Sequence, residues 1–226
     1  MKTLLLWDID GTLILSAGAG ERALVVALRE MFGIDGTMEG IEMAGRTDRW
    51  IARSIFKKFH LPVTAEKLTQ YLDVYLAALP AELARKQGEV LPGVAEILAA
   101  THRHEGIANG LLTGNLRRGA ELKLTHYGLW THFEFGAFAD DAERRDELGP
   151  HAVRRACAHH QVEFATHRVW VIGDTPHDIA CGQAIGAHTV GVATGRYSVA
   201  ELQACGATAA LANLGDAAAF LQLVEH

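Results

Sequence analysis

Leu4-Leu5-Leu6-Trp7-Asp8-Ile9-Asp10-Gly11-Thr12 stands near the start of a chain of 226 residues and decides how the rest is read. Four apolar residues without polar alternation spell a strand buried on both faces, as in a parallel sheet. The Asp-Ile-Asp-Gly-Thr that follows spells a turn leaving that strand. The pattern returns twice: Ile107 to Leu112 runs into Thr113-Gly114-Asn115, and Val169-Trp170-Val171-Ile172 runs into Gly173-Asp174-Thr175-Pro176-His177-Asp178. Helical spacing follows both, around Leu122 and Tyr127 and from Ile179 to Ile185, and a fourth apolar run, Thr189 to Val192, comes after Gly186. Strands alternating with helices predict right-handed crossovers and an α/β, doubly wound parallel sheet. The Ala-rich tail from Ala207 to Ala219 reads as a short strand and a closing helix.

From Leu15 to about Glu89 the rhythm changes. Apolar positions recur at helical spacing, as in Leu24, Leu28, Met31 and Phe32, then Ile51, Ile55 and Phe59, then Leu68, Leu72, Leu76, Leu79 and Leu83. The expected organisation is an α/β core of residues 1–14 and 90–226 with a small all-α domain, 15–89, inserted after the first strand. Gly18, Gly20 and Gly88 are the expected hinge points, and Leu91-Pro92-Gly93 marks re-entry into the core.

A formal charge of -6, from 27 acidic and 21 basic residues, disfavours nucleic acid as a partner, because that affinity rests on clustered Lys and Arg. The expected partner is a small molecule. Cys157, Cys181 and Cys205 form no CxxC pair, which argues against a disulfide framework or zinc knot and reads as core filler in a reducing compartment. The five residues Thr3 to Trp7 are too few for a signal-peptide core or a membrane span, so the expectation is a cytoplasmic protein without membrane partners, a monomer or a homodimer.

In a doubly wound sheet the ligand crevice lies beyond the carboxyl ends of the strands, where strand order reverses. Asp8, Asp10, Thr113, Asp174 and Asp178 all fall just past expected strand ends. In extended backbone, residues i and i+2 point the same way, so Asp8 and Asp10 can face one ligand. A phosphoryl acceptor needs such a neighbour: one carboxylate attacks phosphorus in line while the other protonates the departing oxygen. Two anions beside a phosphate repel it, which calls for a divalent cation. A third carboxylate, Asp174, completes an oxygen set suited to Mg2+. Gly11, Thr12, Gly114 and Asn115 offer backbone amides to a bound phosphate, the last two at an expected helix start.

The ordered set Asp8-x-Asp10-Gly11-Thr12, Leu112-Thr113-Gly114-Asn115 and Gly173-Asp174-Thr175-Pro176-His177-Asp178 resembles the haloacid dehalogenase superfamily of phosphotransferases. Within it the chain is similar to the branch that holds phosphoglycolate phosphatase and relatives with a helical cap after the first strand. The resemblance spans nearly the whole chain. It implies that Asp8 is the nucleophile that becomes an aspartyl phosphate, and that Asp10 is the general acid and then the base for the hydrolytic water. It implies that Thr113 hydrogen-bonds the transferring group, and that Mg2+ is held by Asp8, the carbonyl of Asp10 and Asp174, with Asp178 in support. Dehalogenating members lack an aspartate at the position of Asp10, which favours phosphate ester chemistry here.

One departure stands out. The superfamily has a lysine between its second and fourth motifs to neutralise nucleophile and phosphate, yet the last lysine of this chain is Lys123. Lys123, at helical spacing after Thr113, reads as a surface residue. Within Asp140 to Leu148 an arginine can supply the missing charge with a fork that grips oxyanions, and Arg145 is the expected substitute, with Arg144 in reserve. In the helical insert, Gly45-Arg46-Thr47-Asp48 resembles a loop that closes over substrate. There Arg46 meets a substrate carboxylate or phosphate, or else the cluster is a helix start capped by Thr47 or Asp48.

The expected activity is Mg2+-dependent hydrolysis of a small phosphorylated metabolite, phosphoglycolate-like or a sugar phosphate. A phosphomutase of the β-phosphoglucomutase type is the alternative within this chemistry. A phospho-accepting signalling module is the alternative outside it, disfavoured by the acceptor's place after the first strand, the Asp-Gly-Thr turn and the helical insert.

Overall fold

The apolar run ending at Trp7 forms β1 (Thr3–Trp7), every residue of it buried. The computed structural model describes residues 2–85 and 87–225; Met1, Lys86 and His226 of the expected segments lie outside the described residues. After β1 come β2 (Ile14–Leu15), three helices, α1 (Ala19–Phe32), α2 (Asp48–Lys58) and α3 (Ala65–Arg85), and β3 (Glu89–Val90). The chain continues through α4 (Val94–His102), β4 (Ile107–Leu112), α5 (Arg117–His126), β5 (Gly136–Ala137), a 3-10 turn (Arg145–Glu147) and α6 (Gly149–His160). It ends with β6 (Val169–Gly173), α7 (Pro176–Ala184), β7 (His188–Val192), α8 (Val199–Ala204), β8 (Ala209–Leu211) and α9 (Ala217–Glu225).

Six strands form one sheet in the order β5-β4-β1-β6-β7-β8, and each adjacent pair is parallel. The chain builds outward from β1 through β4 to β5, then returns to the other side for β6, so strand order reverses at β1. Side-chain alternation explains why Leu4 to Trp7 are all apolar. Leu5 and Trp7 join a cluster with Ile97, Leu124, Phe220 and Val224 from helices on one face. Leu4 and Leu6 pack on the other with Ala152, Ala156 and Cys181. The Trp7 indole finds its partner in Asn109 Oδ1 at 3.0 Å, so the largest core side chain leaves no polar atom stranded. Of the three cysteines only Cys181 is buried; Cys205 is exposed, so the core-filler reading does not extend to it.

The helical spacing of residues 15–89 corresponds to α1, α2 and α3. Their buried faces, including Leu24, Leu28, Ile51, Ile55, Phe56, Tyr71, Leu72, Leu76 and Leu79, form a cluster of their own that Leu116 and Ala139 also join. The chain leaves and re-enters the sheet through a two-stranded antiparallel ribbon that pairs Ile14 with Val90 and Leu15 with Glu89. Two-residue strands carry too little periodicity to be read in sequence, and β5 escaped for the same reason. Gly18 caps the start of α1 and Gly88 borders β3, but Gly20 lies inside the first turn of α1, where helical hydrogen bonding rather than a hinge governs the backbone.

Leu5 is fully buried in the strand on which the sheet is centred. Leu5→Ala is expected to lower unfolding free energy by about 2–5 kcal/mol in urea titration. Val63→Ala, at a side chain 39% exposed, is expected to stay within about 0.5 kcal/mol.

Candidate active site

Register aligns the polar residues. Trp7 lies opposite Leu111 on one side and Ile172 on the other, so Asp8, Thr113 and Asp174 emerge together at the carboxyl edge of β1, β4 and β6. The Asp8 amide still donates to Ile172 O at 2.9 Å, and the chain then turns, with the amides of Thr12, Leu13 and Ile14 all donating to the Ile9 carbonyl. Gly11 makes this turn at φ 85°. A Cβ there would stand 2.4 Å from Asp174 Oδ2, and one on Gly195 would stand 1.8 Å from it. Asp174 therefore reaches the crevice only because two glycines leave it room.

Asp8, Asp174 and Asp178 bring carboxylate oxygens within 4.8 Å of one another, all three residues buried. Burial pushes the Asp8 carboxyl up to about 6 against the pull of Arg145, and burial with the neighbouring charges of Asp178 and Asp8 pushes Asp174 up to about 8. Asp174 Oδ1 is buried without a hydrogen-bond partner among the described residues. An unpaired oxygen in a hard-oxygen cluster that resists ionisation suits a small divalent cation. Asp178 has other work: Oδ2 accepts from the Thr175 amide at 3.0 Å and hydroxyl at 2.7 Å, capping α7, and Oδ1 pairs with Arg145.

Arg145 is buried despite its acidic run and sets Nη2 2.8 Å from Asp8 Oδ1 while also binding Asp178. The 3-10 turn that opens at Arg145 directs it inward. Arg144, held in reserve, is exposed and paired with Asp146 and Glu147. Lys123 overturns its surface reading: it is 4% exposed, with Nζ 2.6 Å from both Asp10 Oδ2 and Asn115 Oδ1. Burial alone would lower its pKa, but the charges of Asp10 and Asp48 raise it instead. A signal was present in sequence. Leu116, Ala120, Lys123 and Leu124 are spaced at 4, 7 and 8 residues, so the lysine lies on the buried face of α5.

Asp10 accepts from Lys123, from Asn115 Nδ2 at 2.9 Å and, through Oδ1, from Ser16 Oγ at 3.4 Å. Burial would raise its pKa, and the Lys123 charge together with these donors carries it below the usual carboxylate value. The Thr113 hydroxyl oxygen accepts from the Asn115 amide at 3.3 Å and from Nδ2 at 2.9 Å, which leaves its own proton available to donate. Thr12 is fully buried, its hydroxyl without a partner among the described residues.

The helix-start expectation for Gly114 and Asn115 needs correction. Helix α5 begins at Arg117, and carboxylates already occupy its first amides: Asp48 Oδ2 accepts from Leu116 N and Asp140 Oδ2 from Arg117 N, each at 2.7 Å. Gly114 instead receives the loop before α2, accepting from the Asp48 amide at 2.7 Å, and a Cβ there would stand 2.2 Å from the Arg46 carbonyl. Thr47 caps α2 by accepting from Trp50 N at 3.2 Å, and its hydroxyl donates to Glu143 O at 2.6 Å. Arg46 lines a cavity of about 300 Å³ that also contains Asp8, Asp10, Lys123, Arg145 and Asp174. Its guanidinium is held by Glu42, with contacts at 2.5 and 3.0 Å, and lies 4.4 Å from the Trp50 ring centre.

Residues 5–183 match the model of the haloacid dehalogenase-like hydrolase family. The chain belongs to this family. Among curated relatives it is 28% identical over 212 residues to the Dickeya dadantii protein named "Probable phosphatase IndB", covering 90% of this chain and 86% of that one. A hydrolase from Pseudomonas syringae superposes with a TM-score of 0.72 at 22% identity over 99% of both chains. CbbY from Rhodobacter sphaeroides in complex with phosphate gives 0.77 at 16% identity over 96% of both. These likenesses establish the haloacid dehalogenase-like fold. Among the described residues no helix is long and apolar enough to cross a membrane.

Asp48, which ties the α2 loop to this family's second motif, is itself buried, and that burial pushes its carboxyl up to about 6. The folded state then keeps a proton that the unfolded chain has lost, so this group's contribution to stability falls as pH rises from about 4 to about 6. Stability of Asp48→Asn relative to wild type is expected to improve between pH 4 and pH 7 by up to about 3 kcal/mol, read from denaturant titrations at both pH values.

Proposed function

We propose that this hydrolase cleaves small phosphomonoesters through an aspartyl phosphate on Asp8, with Mg2+ as its metal. The observation that carries the reading is the unequal treatment of two carboxylates at one strand end. Asp8 faces Arg145, while Asp10 is held by Lys123 and Asn115. Environments that separate two carboxylates assign them different roles.

In this reading Asp8 presents its free oxygen to phosphorus, and Arg145 offsets charge on Asp8 and on the arriving phosphoryl group. The Thr113 hydroxyl and the Gly114 amide hold the phosphoryl oxygens; the Gly11 and Thr12 amides, expected to share that work, are engaged within the turn with Ile14 O at 2.9 Å and Ile9 O at 3.3 Å. Asp10, kept ionised by Lys123 in the free protein, takes up a proton with the substrate, gives it to the departing alkoxide and then takes one from the water that attacks phosphorus. Asp8, Asp174 and the Asp10 carbonyl would hold the metal. The ion, when bound, supplies charge neutralisation between the carboxylates and the phosphate. Asp178 orders Arg145 and the α7 cap rather than offering a spare oxygen. We further propose that residues 15–89 act as a cap, with Arg46 at the cavity wall positioned to meet an anionic substrate group once Glu42 releases it. The named phosphatase relative supports hydrolysis over phosphoryl return to substrate.

Hydrolysis of p-nitrophenyl phosphate is expected to require Mg2+, to release inorganic phosphate and to vanish in Asp8→Asn; undiminished turnover in that variant would remove the mechanism. Arg145→Ala is expected to lower kcat/KM about 10²–10³-fold, with Arg144→Ala unchanged. Mg2+ at a hundred times its Kd is expected to add about 2.7 kcal/mol of stability, a Tm rise of about 5–10 °C. That rise should be absent in Asp174→Asn, a measurement that needs no turnover.

A further inference from the structure

We propose that Lys123 is a positioning residue for the acid–base carboxylate, fixing which oxygen of Asp10 faces the reacting ester. The proposal rests on the phosphatase reading above and adds a residue that the motifs do not contain. Two buried cations serve this crevice from different elements. Arg145 comes from the 3-10 turn before α6 and goes to Asp8 and Asp178; Lys123 comes from the second turn of α5 and goes to Asp10.

The geometry around Asp10 is asymmetric. Oδ2 receives two strong donors, Lys123 Nζ at 2.6 Å and Asn115 Nδ2 at 2.9 Å, whereas Oδ1 has only the long contact of 3.4 Å from Ser16 Oγ. An oxygen facing two N–H donors has no room for a proton of its own, so a proton passing to or from substrate travels by Oδ1. The side chain of Asp10 is 40% exposed, and that exposure opens into the cavity where substrate would sit. Without a fixed second oxygen, rotation about the terminal torsion would present either oxygen to the ester, since such torsions have broad wells.

Lys123 is itself held rigidly. It is 4% exposed, its Nζ is bound at 2.6 Å by Asn115 Oδ1, and it feels the charge of Asp48 at the start of α2. Asn115 closes the ring: its amide nitrogen reaches Asp10 and Thr113, its oxygen takes Lys123. A lysine used only to neutralise charge would not need a carboxamide to orient it.

The test uses leaving groups. Nitrophenolate departs from p-nitrophenyl phosphate without needing a proton, whereas the oxygen of phenyl phosphate, a phenol of pKa about 10 like tyrosine's, does need one. Since kcat/KM reports steps up to leaving-group departure, Lys123→Met is expected to lower it for phenyl phosphate at least ~10-fold more than for p-nitrophenyl phosphate, part of the ~10²–10⁴ that a general acid supplies. In an Asp10→Asn background the same substitution is expected to change neither value. Equal losses for both esters, or a further loss in the Asp10→Asn background, would overturn the proposal. If Lys123→Met does not fold, Lys123→Gln keeps a neutral donor and should show the same selectivity to a smaller extent, with equal losses again fatal. Wild-type protein that hydrolyses neither ester, or Asp8→Asn protein that hydrolyses both, would strike the phosphatase reading itself and so is distinguishable from failure of the Lys123 proposal.

Discussion

Carboxylates crowded at the buried end of a parallel strand must be given positive charge, and most of the site's architecture follows from that demand. Asp8, Asp174 and Asp178 lie within 4.8 Å of each other by their oxygens, and burial raises the pKa of the first two. An ionised carboxylate away from water is costly unless a cation or several donors replace its hydration. The chain meets the demand with two buried cations and with an oxygen cluster suited to a metal. Arg145 bridges Asp8 and Asp178, Lys123 serves Asp10, and Asp174 keeps an oxygen unpaired.

The fold makes this crowding possible by fixing positions rather than by supplying energy at the site. Parallel register carries β1, β4 and β6 to a common edge, and apolar packing on both sheet faces holds that edge in place. Gly11 and Gly195 then open the space into which Asp174 projects. The helical layer completes the crevice from the other side. Asp48 joins it to Gly114 and Leu116 by hydrogen bonds of 2.7 Å, so the second motif's turn is shared between the sheet edge and the loop before α2. Substrate selection by such a layer would reside in Arg46 and its neighbours at the cavity wall.

Arg145 shows how the charge demand of buried carboxylates can be met by a guanidinium drawn in from an acidic run. Arg145 reaches both carboxylates from a single nitrogen, Nη2, which lies 2.8 Å from Asp8 Oδ1 and also binds Asp178 Oδ1. With Asp8 served by Arg145, the chain's last lysine holds Asp10.

The doubly wound sheet, the helical insert and the carboxylate positions were legible because they depend on local pattern. Continuous apolar runs mark buried strands, helical spacing marks α1 to α3, and motif residues fall directly after strand ends. The two-residue strands β2, β3 and β5 were not legible, since pairing rather than periodicity defines them. The fate of single charges was also hidden. Arg145 and Arg144 are neighbours in one acidic run, yet one is buried against Asp8 and the other lies in solvent. Lys123 sat on an apolar helix face in plain view, but its partner stands 113 residues away in sequence. Local propensity determines which elements form and where their ends lie; only the packing of distant elements decides which buried charge meets which, because that interaction depends on distances no sequence spacing records.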